Sequence, residues 1–105
     1  MHEYQPVCKT TEIPEGEGRS FHVDRYVVAI FNVAGTFYAI DDRCPHMGVS
    51  LSTGHLEDCV VTCPLHAWRF DVRDGTWMES PRVKTTCFSV RVVGDQIEVA
   101  VPKKT

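Results

Sequence analysis

The sequence predicts an all-β domain, and three observations carry that prediction. Apolar residues recur with a period of two in several separate runs. Tight-turn dipeptides, Ala34-Gly35, Asp74-Gly75 and Gly94-Asp95, stand between those runs. No stretch of ten or more residues shows a capped 3.6-residue apolar repeat. A chain of 105 residues is long enough for one hydrophobic core, so the expectation is a single domain built as a small antiparallel β sandwich or barrel.

Taken in order, a first strand is expected near residues 4–9 and a second near residues 20–23. The loop "TTEIPEGEGRS", rich in proline, glycine and acids, separates them at the surface. The β-branched and aromatic runs "YVVAIFNV" and "TFYAI" form a hairpin about Ala34-Gly35, where glycine supplies the positive φ that a tight turn needs. In "WRFDVRDGTW", Trp68, Phe70 and Val72 alternate with Arg69, Asp71 and Arg73 before the turn at Asp74-Gly75. The last hairpin sets Phe88, Val90 and Val92 in "CFSVRVV" against Ile97, Val99 and Val101 in "QIEVAV". A single helical turn is expected around residues 50–53. Residues 41–78 differ from their flanks in cysteine, histidine and glycine content, and read as an insertion carried by a β scaffold made from the two ends of the chain.

With 43% hydrophobic and 24% charged residues, the composition is that of an ordinary globular protein, without the ~20-residue apolar run that spans a bilayer. The start, "MHEYQPVCKT", shows no apolar core of a signal peptide. A cytoplasmic location and no membrane partner are expected. A formal net charge of -3, with Lys103 and Lys104 as the one basic cluster, offers nucleic acid no surface. Five cysteines is an odd number; in a chain without a secretion signal they read as ligands or core residues rather than a disulfide framework.

The chemistry lies in "RCPHMGVSLSTGHLEDCVVTCPLHAWRF". Cys44 precedes His46 by two positions and Cys63 precedes His66 by three, with 16 residues between the pairs. Each pair puts one thiolate and one imidazole on a short proline-containing loop. Two such loops can converge on one metal centre. A structural zinc takes Cys₂His₂, but its usual spacing groups cysteines in one half and histidines in the other. A [2Fe-2S] centre with one iron on two cysteines and the other on two histidines uses mixed loops directly.

Cys44-Pro45-His46-Met47-Gly48 and Cys63-Pro64-Leu65-His66-Ala67-Trp68 closely resemble the two ligand loops of the Rieske family. The likeness extends over most of the chain, including "EIPEG", "AIFNVAGTFYAIDDRCPH" and the Asp-Gly turn after the second box. The resemblance implies a Rieske fold, an antiparallel β sandwich or barrel with an inserted cluster-binding subdomain, and one [2Fe-2S] cluster. It implies Cys44 and Cys63 on one iron and His46 and His66 on the other. Two ferric ions, two sulfides and two thiolates are neutral with neutral imidazoles, whereas four thiolates leave a dianion. Adding an electron to the neutral centre costs less, as the Rieske range of roughly -150 to +300 mV against roughly -400 mV for plant-type centres reflects.

High-potential members of the family carry an extra cysteine in each box, paired as a disulfide beside the cluster; here Val49 and Leu65 stand at those positions. Fewer donors toward the sulfurs imply a potential in the lower half of the range. The resemblance also puts Pro81 in a third loop over the cluster. Gly48 and Gly54 are expected to let backbone approach the sulfides, and Trp68 to shield the loops from water. Cys8, Cys59 and Cys87 lie in strand patterns and read as buried core thiols. His55 reads as a polar strand or loop residue, and His2 and His22 as exposed.

The function implied is a one-electron carrier that docks redox partner proteins, a reductase and a terminal oxygenase or reductase, over His46 and His66. No nucleophile and base are set up for turnover, so the chain alone is not expected to be an enzyme. The small subunit of an assimilatory NAD(P)H nitrite reductase shares the "CPLHAWRFDVRDG" similarity and stands as an alternative, as does a structural zinc module. A fragment of a ring-hydroxylating oxygenase is the third, although a long catalytic domain would then follow the Rieske portion.

Overall fold

The alternating runs fold into two antiparallel sheets. The computed structural model describes residues 2–44, 48–65 and 67–102. In chain order its strands are β1 (His2–Lys9), β2 (Gly18–Val23), β3 (Tyr26–Val33), β4 (Thr36–Asp41), β5 (His55–Glu57), β6 (Val60–Thr62), β7 (Arg69–Asp71), β8 (Thr76–Trp77), β9 (Ser80–Lys84), β10 (Cys87–Val93) and β11 (Gln96–Pro102). The six-stranded sheet runs β1-β11-β10-β4-β3-β2 and the five-stranded sheet β5-β6-β7-β8-β9. Sequential strands pair as hairpins, whereas β11 returns to β1 and β10 to β4, so the two ends of the chain close the larger sheet.

β3 explains the layering. Its side chains alternate between two cores: Val28 and Ile30 enter one with Ala39, Phe88, Ile97, Val99 and Val101, while Ala29 and Phe31 enter the other. In the second core they meet Ile40, Leu51, Val61, Phe70 and Val72. All four of these β3 residues are fully buried. A strand covered on both faces must be apolar continuously rather than alternately, which is why "VVAIF" is an unbroken run. Each such side chain contributes about 1.5–3 kcal/mol of burial where it is large.

The hairpin turns fall where the sequence puts them. Ala34 (φ 52°) and Gly35 (φ 91°) both adopt left-handed backbone, the mirror-image turn that matches strand twist, and the turn joins Val33 to its partner Thr36. Gly94 (φ 65°) turns β10 into β11, and Gly75 N–H donates to the Asp71 carbonyl (2.7 Å), closing β7 on β8. The helical turn is a 3-10 turn at Leu51–Thr53. Pro6 and Pro81 lie on β1 and β9, the edge strands, where a missing N–H leaves no ladder bond unmade.

Other details depart from the sequence expectation. Val92 is exposed, because β10 pairs with β4 only at Cys87 and Phe88 and its far half continues past the core with β11 alone. The loop after β1 is not purely a surface feature. It begins with a 3-10 turn at Thr10–Glu12 and then sends Ile13 fully into the core. Buried Asn32 fastens that loop, donating from Nδ2 to the Ile13 carbonyl (2.8 Å) while its Oδ1 accepts from Gly35 N–H (2.8 Å). Its backbone also exchanges bonds with Gly16 and Glu17.

Gly54 serves packing between elements rather than access to a cluster. A β-carbon there would overlap the Thr62 carbonyl oxygen, so glycine is what lets the segment after the 3-10 turn lie against β6. Gly54→Ala is expected to cost about 2–3 kcal/mol as an overpacking substitution. Gly94→Ala, with nothing within 4 Å of its added carbon, is expected to cost about 1 kcal/mol from its left-handed backbone. Denaturant unfolding of the two variants checks this, and equal losses would contradict it.

Candidate metal centre

Both cysteine loops leave the ends of buried strands. Cys44 follows β4 after Asp42 and Arg43, and Cys63 follows β6 directly. Both thiols are buried, at 1% exposure, and both belong to the core beneath the five-stranded sheet. Residues 19 apart in the chain are thereby brought together, close enough for the Cys44 sulfur to influence the Cys63 thiol. His46 and His66 lie outside the described residues, as does Pro45.

Two features recur in the described residues of both loops. Cys44 N–H donates to the Val49 carbonyl (2.8 Å) and Cys63 N–H to the Trp68 carbonyl (2.6 Å), so each loop is closed by a bond from its cysteine to the fifth residue on. The fourth residue on has positive φ in both, Gly48 at 71° and Ala67 at 57°. The first loop accepts this with glycine; the second carries alanine there, at a cost of order 1 kcal/mol. Gly48 thus has a turn role, and open space surrounds its α-carbon.

Burial pushes the Cys63 thiol up from its ordinary range, and the neighbouring Cys44 sulfur pushes it the same way, against the Leu65 backbone N–H, which bonds to it and pulls it down. Two adjacent thiolates in an apolar pocket repel each other and lose hydration. A cation between them removes both penalties, and metal binding to such a pair releases protons. The donor chemistry therefore fits an iron or zinc ion. The five cysteines are all free thiols, and no described group of three or more His, Cys, Asp or Glu side chains forms a complete metal cage.

Behind the second loop, Trp68 stacks on Trp77 with ring centroids 3.9 Å apart and planes 10° from parallel, and Phe70 lies 6.3 Å from Trp68 at a tilt. These rings pack with the second core at the end of the loop. Asp71, expected on the outward face of its strand, is buried. Arg73 explains it, donating from Nε to Oδ1 (3.0 Å) and from Nη2 to Oδ2 (2.8 Å) and holding the carboxyl below its usual range. A shallow depression beside Cys44 is lined by Asp41, Arg43, Gly48, Lys84, Thr85 and Thr86. Pro81 lies on β9 itself, exposed, three residues before Lys84.

The remaining cysteines and histidines occupy different positions in the fold. Cys8 is buried in the other core, where burial foremost and Glu12 in addition push its thiol up to about 11. Cys59 is half-buried in the turn before β6, packed against the second core rather than standing in a strand. Cys87 is exposed on β10, contrary to the buried reading. His55 is an exposed β5 residue and His22 an exposed β2 residue; His2 belongs to β1.

Comparison with known proteins places this geometry. The family model of the Rieske [2Fe-2S] domain matches residues 3–101, so the chain belongs to the Rieske family and its cofactor is one [2Fe-2S] cluster. Among curated relatives, the 3-phenylpropionate/cinnamic acid dioxygenase ferredoxin subunit of Escherichia coli strain K12 is 41% identical over 98 residues, covering 91% of this chain and 92% of its own length. Among solved structures, a complex of reduced oxygenase and oxidized ferredoxin in carbazole 1,9a-dioxygenase contains a chain with a TM-score of 0.85 and 34% identity, over 97% of this chain and 96% of that one. The ferredoxin of carbazole 1,9a-dioxygenase from Nocardioides aromaticivorans IC177 has a TM-score of 0.86 and 30% identity, over 95% and 98%. A nitrite reductase small subunit from Mycobacterium tuberculosis shares the fold, with a TM-score of 0.89 and 24% identity over 99% of both chains.

The left-handed position common to the two loops gives a direct test. Ala67→Gly is expected to raise stability by about 1 kcal/mol by relieving left-handed alanine, and Gly48→Ala to lower it by a similar amount. Thermal or denaturant unfolding reads both, and a destabilising Ala67→Gly would contradict the equivalence.

Proposed function

We propose that this chain is the ferredoxin of an oxygenase system, a cytoplasmic one-electron carrier between a reductase and a terminal oxygenase. The observation that carries the reading is the convergence of the buried Cys44 and Cys63 thiols at the starts of two loops closed by the same kind of backbone bond. Each loop continues within three residues to a histidine. Cys44 and Cys63 hold one iron and His46 and His66 the other. When bound, the [2Fe-2S] cluster accepts and releases a single electron, at a potential in the lower half of the Rieske range.

The protein's own part is to hold and to insulate. The thiolates sit in the apolar core, away from water and from partners. The Leu65 N–H donates to the Cys63 sulfur, and such donors stabilise the charge that arrives on reduction. Val49 is half-buried and Leu65 exposed, and neither can form the disulfide of the high-potential members. The Trp68–Trp77 stack packs where the second loop rejoins the sheet, and Leu65, 38% exposed, belongs to the surface a partner meets. Among the described residues no helix is long and apolar enough to cross a membrane.

The ferredoxin subunits of the curated relatives and the ferredoxin–oxygenase complex support this partner assignment. The likeness to the nitrite reductase subunit supports the fold alone. The test is elemental and spectroscopic. The purified protein is expected to contain two irons and two sulfides per chain and to give, after dithionite reduction, a low-temperature EPR signal with an average g below 2. Zinc without sulfide would overturn the reading. His66→Cys, where a cluster still assembles, is expected to lower the midpoint potential, and an unchanged or higher value would contradict the ligand assignment.

A further inference from the structure

Asp42 is buried, at 4% exposure, two residues before Cys44, and its polar atoms are bonded on every side. Its N–H donates to the Val27 carbonyl (2.9 Å), which ties the exit of β4 to β3, and its carbonyl accepts from Leu51 N–H (2.6 Å). Its carboxylate reaches across the loop: Oδ2 accepts from the Ser50 hydroxyl (2.6 Å) and Oδ1 from Ser52 N–H (2.8 Å). The Ser50 and Ser52 hydroxyls are 3.0 Å apart. Just inside this ring, Arg43 bridges Ser50 and Cys44 N–H reaches Val49.

A buried carboxylate is expensive unless its lone pairs are satisfied. Among the described residues no ion pair involves Asp42, so its partners are the two hydroxyl and amide donors on the far side of the ligand loop. An apolar residue of similar size would fill the space without joining the loop's two ends. With both oxygens committed to Ser50 and Ser52, the carboxylate is also spent as a donor to metal.

We propose that Asp42 is the positioning residue of the first ligand loop: it clamps the outgoing strand to residues 50–52 and thereby fixes where Cys44, and the segment after it, meets the cluster. The proposal rests on the ligand assignment above. Among the described residues no carboxylate bridges the second loop in this way; the β6–β7 pairing and the tryptophan stack flank it instead. The clamp acts by hydrogen-bond geometry. Asparagine can reproduce that geometry, with its Oδ1 accepting from Ser52 N–H and its amide donating to the Ser50 hydroxyl, which then donates to Ser52.

The test compares Asp42→Ala, Asp42→Asn and Ser50→Ala in the cluster-loaded protein. Iron release to a chelator is expected to accelerate at least tenfold in Asp42→Ala, in the range of outer-shell ligand-support residues. The Asp42→Asn rate is expected within about twofold of the parent, with an unchanged reduced-state EPR line shape. Ser50→Ala should fall between the two. Parent-like release in Asp42→Ala would overturn the proposal, and so would an Asp42→Asn variant as labile as the alanine. If Asp42→Ala does not fold, Ser50→Ala decides: faster release supports the clamp and parent-like release overturns it.

Amide hydrogen exchange separates the clamp from the ligand assignment. In iron-free protein the Ser52 amide is expected to stay protected in the parent and Asp42→Asn and to lose protection in Asp42→Ala. An unprotected Ser52 amide in the parent would refute the clamp whatever the metal content. A parent protein without iron and sulfide would refute the ligand reading, with the exchange result still standing.

Discussion

The β3–β4 hairpin, buried on both faces, is the constraint from which the rest of the structure follows. On one side Val28, Ile30 and Ala39 close the core of the six-stranded sheet; on the other Ala29, Phe31 and Ile40 floor the core that contains Cys44 and Cys63. The wall of the scaffold is therefore also the floor of the metal site. Because interiors are close-packed, displacing a side chain on one face moves the other. The two cysteine loops are thereby seated on a hairpin packed from both sides rather than standing as surface excursions.

Much of this was legible in the sequence. Period-two alternation and the glycine turns located the hairpins, and the spacing of Cys44, His46, Cys63 and His66 singled out the loops, because backbone geometry and ligand chemistry are both local. The unbroken apolar run of β3 was visible as a run, but its division between two cores depends on a sheet built from residues far along the chain. Cys59 and Cys87 show the same limit. Both sit next to apolar residues, yet one falls in a turn and the other is exposed at the start of β10 beside buried Phe88, positions set by strand pairing rather than by the neighbouring letters.

The supports of the site were the least legible part. Asn32, Asp42 and Asp71 are polar residues that a pattern reading leaves at the surface, and each is buried because a specific long-range or turn partner satisfies it. Gly54 showed itself as glycine but not as a contact with the Thr62 carbonyl. The one signal available in advance was the pairing of Asp42 with two serines eight and ten residues later, which becomes meaningful only once the loop between them is known to close. The left-handed position common to the two loops was likewise hidden, since glycine at one and alanine at the other do not look alike.

The central claim is that two cysteine sulfurs converge to hold one iron while two imidazoles hold the other. Pulsed electron–nuclear double resonance of the reduced protein, grown with ¹⁵N-histidine in otherwise natural-abundance medium, addresses that claim most directly. Two distinct, strongly coupled ¹⁵N signals are the expected result, both retained when His2, His22 and His55 are replaced. A spectrum without strong histidine nitrogen coupling would mean that the cluster is held by thiolates alone, and would contradict the account.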